Sequence, residues 1–150
     1  MEHNHRALQP EELLEILPQL LAEDTAVPLV ITGDSMYPFL KHGRDTVYLS
    51  ALTRPGRPGD MIFYRRPAGR CVLHRVISVQ DNSYCLLGDH QISREWGVSP
   101  DSVMAIVTAV RRKGKLIQPG HPIWFFFEKI WPRLILLRPY LIKLYTFFDR

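Results

Sequence analysis

The hydrophobic pattern of this chain changes period three times. Over residues 10–22, Leu13, Leu14, Ile16, Leu17, Leu20 and Leu21 recur at helical spacing. Pro10, Glu11 and Glu12 occupy the first turn, where a missing N–H is harmless and negative charge is favoured. The pattern predicts a helix that Pro18 kinks or divides, because a proline ring collides with the carbonyl four residues back. From Val27 the chain turns rich in β-branched and aromatic residues punctuated by Gly, Pro and Asn, which predicts strands at 29–32, 46–49, 60–64, 70–79, 83–87, 103–112 and 115–117. Lys41-His42-Gly43, Arg57-Pro58-Gly59 and Pro67-Ala68-Gly69 read as turns, and Arg112-Lys113-Gly114-Lys115 as a tight hairpin. After Pro119 the pattern changes again, to an aromatic and aliphatic stretch over 123–148 that Pro132 and Pro139 divide into short helices.

These elements predict a mainly β fold, antiparallel sheets or a small barrel, with an N-terminal helix and C-terminal hydrophobic helices. The expected organisation is a helical segment over 1–26 whose first nine residues are loose, a β-rich body over 27–118, and an aromatic, basic helical segment over 119–150. At 150 residues the chain is long enough for one domain with a real core.

Charge adds a direction. Residues 1–24 hold six acids and one Arg, whereas residues 105–150 hold nine bases and two acids. The stretch 123–148 is too interrupted by Arg133, Arg138 and Lys143 to cross a bilayer, since each would cost about 2.5–3.5 kcal/mol at the membrane centre. Trp124, Trp131, Tyr140 and Tyr145 with neighbouring Lys and Arg suit a headgroup zone, so an anionic membrane surface is one expected partner, and packing on the β body or a second subunit is the other expectation. The basic tail does not imply nucleic acid, because the β body lacks a basic groove interleaved with stacking aromatics. The N-terminus has no basic region followed by an apolar core, so no signal peptide is expected; the chain reads as peripherally membrane-associated or cytoplasmic. If Asp81-Asn82 is a hairpin turn, Ser78 faces Cys85 and Cys71 lies seven residues further on, roughly 20 Å away, so both cysteines are expected as free thiols.

Candidate chemistry centres on Val30-Ile31-Thr32-Gly33-Asp34-Ser35-Met36-Tyr37-Pro38. An apolar run ends at Gly33 and Ser35 follows at once, which can hold a hydroxyl on an exposed corner, as a nucleophile requires. An ordinary β-turn has the same composition. A nucleophilic serine needs a base. Of six histidines, His74 lies within Cys71-Val72-Leu73-His74-Arg75-Val76-Ile77, where strand alternation places Val72, His74 and Val76 on one face. Asp89 and Glu95 are the acids that could orient its imidazole.

These stretches resemble, in order, the boxes of type I signal peptidases and the self-cleaving SOS-repressor peptidases. Gly33-Asp34-Ser35-Met36-Tyr37-Pro38 is similar to the nucleophile box, Arg57-Pro58-Gly59-Asp60-Met61-Ile62-Phe63 to the next, His74-Arg75-Val76 to the base box, and Leu87-Gly88-Asp89-His90-Gln91 to the late Gly-Asp-Asn box. Together they cover about residues 28–112, and the likeness is nearest to small bacterial signal-peptidase-like proteins with a Ser–His pair. The resemblance implies a β-rich body with a catalytic groove, Ser35 as nucleophile and His74 as general base. It puts the third catalytic acid on Glu95, with Asp89 in a supporting role; a second alignment over Ser93-Arg94 and Trp96-Gly97 leaves that slot without an acid. Gly33, Asp34 and Met36, beside the nucleophile, are the expected substrate-binding residues. The chain departs from signal peptidases in having Gly33 where a serine two residues before the nucleophile helps bind the oxyanion, and no N-terminal transmembrane anchor of their kind is expected.

The expectation is therefore a serine endopeptidase that cuts a leader, signal or other extended peptide and needs no metal or organic cofactor. The alternative is a catalytically weak or idle module of a secretion or peptide-maturation system that grips an extended peptide by strand addition.

Overall fold

The computed structural model describes residues 10–149; the segment 1–9 expected to be loose, with His3 and His5, lies outside the described residues. Helix α1 (Pro10–Ala22) runs unbroken through Pro18, which sits on its exposed side. Leu13 and Leu17 are fully buried, and Leu20 and Leu21 pack beside them. Strands β1 (Val27–Val30), β2 (Thr46–Ser50), β3 (Met61–Arg65), β4 (Cys71–Gln80), β5 (Ser83–Leu87), β6 (Glu95–Val98), β7 (Val103–Arg112) and β8 (Lys115–Ile117) follow. They form one antiparallel sheet in the order β1-β2-β7-β3-β4-β5-β6, with β8 beside β7. The sheet does not close into a barrel.

Two tight hairpins set the register. Asp81 and Asn82 (φ 49° and 57°) join β4 to β5, and Lys113 and Gly114 (φ 51° and 79°) join β7 to β8. Positive φ at both central residues gives the turn whose twist matches that of the flanking strands. Ser78 stands opposite Cys85, and both cysteines are free. β1 starts and ends two residues earlier than the hydrophobic run suggests; Ile31 instead donates to the Asp45 carbonyl and accepts from Gly43 N–H, tying the chain to the 41–45 turn.

The sheet is buried on both faces at its centre. Met61, Phe63, Leu73, Ala105 and Val107 face the main core, which also takes Met36, Phe39 and Leu40. Ile62, Tyr64, Val76, Tyr84, Leu86 and Val98 form a second cluster on the other side. Residues after Pro119 belong to the same main core: Trp124, Phe127, Trp131 and Ile142 are buried in it. They come from α2 (Pro122–Phe125), a π-helical turn (Phe126–Ile130), two 3₁₀ turns and α3 (Arg138–Phe148). Pro132 lacks the N–H an α-helix would use, and Trp131 N–H reaches five residues back to Phe126. Gly59 (φ +96°) meets this turn so closely that a Cβ there would stand 2.6 Å from Glu128 Cγ. Pro139 opens the first turn of α3 rather than dividing a longer helix.

One ion pair holds these parts together. Arg75 Nε and Nη2 donate to the two oxygens of Asp89, each at 2.8 Å, and both side chains are sealed from solvent. Arg75 Nη1 donates to Gly59 O, Trp131 Nε1 to Asp89 O, and Arg138 Nη1 to the carbonyls of Gly88 and Gln91. Removing one partner of a buried pair leaves the other charge uncompensated. Asp89→Ala is expected to lower the unfolding free energy by about 3–5 kcal/mol, read as a reduced midpoint in urea.

Candidate active site

The turn that carries Ser35 is held from several sides. Gly33 takes φ +81°, which a side chain would strain, and its N–H donates to His42 Nδ1 at 2.7 Å. On the other side His90 N–H donates to the Ser35 carbonyl at 3.0 Å, and His90 Nδ1–H donates to the Asp34 carbonyl at 3.1 Å. Gly88 approaches so closely that a Cβ there would overlap the Ser35 carbonyl oxygen. From behind, the Tyr37 hydroxyl meets Thr146 Oγ1 at 3.1 Å, and its ring packs edge-on to Tyr145. Arg112 donates to the carbonyls of Pro38 and Phe39 and to the Tyr145 hydroxyl. Ser35 is half-buried at this corner and Met36 is buried beneath it.

Ser35 and His74 line one cavity of about 560 Å³, together with Gly33, Asp34, Met36, Arg66 and Gln91. Leu29, Val30 and residues 71–73 line it as well, and Leu14 of α1 contributes to its wall. Two strand edges reach this cavity. β1 pairs with β2 alone, and β4 pairs with β5 only from Arg75 onward. One edge of Val27–Val30 and one edge of 71–74 thus carry no strand among the described residues.

His74 is 2 % exposed. Burial, with the nearby Arg66 charge, pushes its imidazole down to about 4, so it is neutral at pH 7, as a general base must be. Its partner is Tyr64: the Tyr64 hydroxyl and His74 Nδ1 are 3.2 Å apart. Tyr64 in turn donates to Glu95 Oε2, and Arg66 Nη2 donates to the same oxygen at 3.1 Å. Burial opposes ionisation of Glu95, but hydrogen bonds from Tyr64 and Arg66 outweigh it and hold the carboxyl below the usual range. Glu95 thus stands one residue removed from His74, through a phenol. Asp89 stands elsewhere: its carboxylate is taken by Arg75, which strand alternation places on the face of β4 opposite His74.

Tyr64 and Arg66 have no place among the sequence candidates, and His42 and His90 enter there only as members of a turn and of the late Gly-Asp box, without a role at Ser35. Tyr64 was recoverable: the Pro67-Ala68-Gly69 turn fixes β3 against β4 with Ile62 opposite His74 and Tyr64 opposite Val72, which sets Tyr64 diagonally beside His74 on one face. His42 and His90 lie in turns whose positions relative to Ser35 depend on the complete fold.

A scan against protein-family models gives no match, and neither does a search of curated proteins.

The lowered His74 value makes the stability of the fold depend on pH. The unfolded imidazole takes up a proton below its ordinary value of 6.5 while the folded one stays neutral until about 4. The stability that His74 contributes is therefore complete above pH 6.5 and is lost as pH falls towards 4, to the extent of about 3 kcal/mol. In a histidine NMR titration the His74 ring is expected to stay neutral at pH 5.5, and His74→Gln is expected to flatten the loss of stability between pH 7 and pH 4.

Proposed function

We propose that this protein is a serine endopeptidase of the signal-peptidase-like type, acting on a leader, signal or other extended peptide. The observation that carries the reading is that Ser35 and a buried, neutral His74 line one cavity bordered by two unpaired strand edges. An extended peptide laid between β1 and the start of β4 would complete both edges with main-chain hydrogen bonds and present its carbonyl to Ser35. Ser35 Oγ forms the new bond to the carbonyl carbon while His74 takes its proton; His74 then gives that proton to the departing amine, and water releases the acyl group by the same route. With Gly33 in place of a second hydroxyl, oxyanion stabilisation falls to backbone N–H groups such as that of Ser35. Gly33, Asp34 and Met36 form the cavity wall beside the cut.

The free edges alone also favour a second reading, a module that holds an extended peptide without cutting it. Ser35→Ala separates the two. For the enzyme, cleavage of leader peptides read by mass falls by about 10⁴-fold or more while folding and peptide binding persist. Equal peptide binding by parent and variant, with no turnover by the parent, would establish the module instead.

We also propose that the C-terminal segment rests on an anionic membrane surface. No helix among the described residues is long and apolar enough to cross a membrane. Yet α3 and the turn before it bury one side and leave Leu136 at 90 %, Tyr140 at 75 %, Phe147 at 69 % and Phe148 at 75 % exposure. Lys129, Arg133 and Lys143 are exposed among them, the arrangement of a helix lying in the headgroup plane. The triple variant Leu136→Glu, Tyr140→Glu, Phe147→Glu is expected to stay folded and to lose sedimentation with phosphatidylglycerol-containing vesicles. Unchanged sedimentation would remove this surface as the membrane contact.

A further inference from the structure

The feature that the peptidase reading does not by itself account for is a phenol, 1 % exposed, set between the imidazole and the carboxylate. We propose that Tyr64 is the positioning residue of this site, relaying the Glu95 carboxylate to His74 Nδ1 and fixing the tautomer that leaves Nε2 as the base. The proposal rests on the peptidase reading for its consequence in catalysis, but the tautomer itself follows from hydrogen-bond accounting alone.

An ionised carboxylate accepts and cannot donate. Glu95 accepts from Arg66 and from Tyr64, and its ionised form is the one these donors favour. Tyr64 has a single hydroxyl hydrogen, and burial together with the adjacent Glu95 charge drives its ionisation upward, so the hydrogen stays on the phenol. That hydrogen goes to Glu95. At His74 the phenol oxygen can then only accept, so Nδ1 must carry the imidazole proton. Nε2 keeps its lone pair, the arrangement a base acting on Ser35 requires.

The relay does a second thing. As His74 takes the Ser35 proton it becomes a cation in a buried place. The negative end of the dipole chain, Tyr64 oxygen backed by Glu95, already points at Nδ1, so no group has to turn and no further proton has to move. The charged groups around His74 are Arg66, which opposes its protonation, and Glu95 and Asp89, which favour it; Asp89 is already held by Arg75. Glu95 is the acid coupled to His74 through a hydrogen-bonded route, and Arg66 limits how far that coupling raises the imidazole. A direct carboxylate on Nδ1 would give a stronger pull; the phenol gives orientation with a weaker one, in keeping with an imidazole that remains neutral well below pH 7.

The test uses the full chain and two independent readouts. The first is the ¹⁵N spectrum of histidine-labelled Ser35→Ala protein at pH 7, where His74 is expected with the proton on Nδ1; adding Tyr64→Phe is expected to abolish that fixed tautomer. The second is kinetic: Tyr64→Phe is expected to lower kcat by about 10²-fold with KM within twofold. Glu95→Gln, which keeps the acceptor but removes the charge, is expected to lower kcat by about tenfold and to shift the acid limb of the pH profile downward. A proton found on Nε2 in the Ser35→Ala protein, or Tyr64→Phe and Glu95→Gln both retaining parental kcat and pH profile, would overturn the relay. Were the parent protein to cleave no peptide, the peptidase reading would fall while the tautomer readout still decided the role of Tyr64. Should Tyr64→Phe not fold, the tautomer in the Ser35→Ala protein and the Glu95→Gln kinetics decide it.

Discussion

The buried pairing of Arg75 with Asp89 is the constraint on which the rest of this molecule depends. A guanidinium and a carboxylate enclosed together tolerate little displacement, because each satisfies the other's desolvated charge through two parallel hydrogen bonds. Arg75 adjoins His74 in the chain, and Asp89 lies between Gly88 and His90, both of which contact the Ser35 carbonyl. The pair thereby sets the distance between the strand that carries His74 and the loop that clamps the Ser35 turn. It uses the opposite face of β4, so the imidazole is positioned without losing any of its own valences.

The C-terminal segment takes part in this frame. Trp131 and Arg138 bond the backbone around Asp89, and Tyr145 and Thr146 support Tyr37 behind the Ser35 turn. The same segment turns its other side, rich in exposed aromatic and aliphatic residues, to solvent. The sequence fits membrane-surface helices as well as helices packed on the β body or on a second subunit. The structure puts Trp124, Phe127, Trp131 and Ile142 in the main core and leaves Leu136, Tyr140 and Phe147 exposed, so packing on the body is met by one side and the lipid question concerns the other.

Much of the fold could be read from residue order. Alternation and turn chemistry gave the bounds of seven strands to within two residues and one cross-strand pair, Ser78 facing Cys85, which the tight Asp81-Asn82 turn fixes. β6 escaped because Glu-Trp-Gly-Val has no alternation, holds Gly97 at φ +68° and pairs with β5 at only two positions. That loss hid how Glu95 is placed, since its approach to Tyr64 comes from the edge strand and not from sequence proximity. The placement of Ser35 in a turn and of His74 in a strand was legible. Their shared cavity was not, because its wall joins β1, the 33–36 turn, residues 71–74 and Gln91, which are far apart in the chain and which no local pattern brings together.

The brace between Tyr37 and the last helix has a consequence for biosynthesis. A ribosome has to add Thr146, more than a hundred residues after Tyr37, before the back of the Ser35 corner acquires its hydroxyl partner and its Tyr145 neighbour. During translation the corner, its cavity wall and the β4 edge are already made while this support is still missing. The late arrival of the brace therefore delays completion of that corner until Thr146 itself has left the exit tunnel.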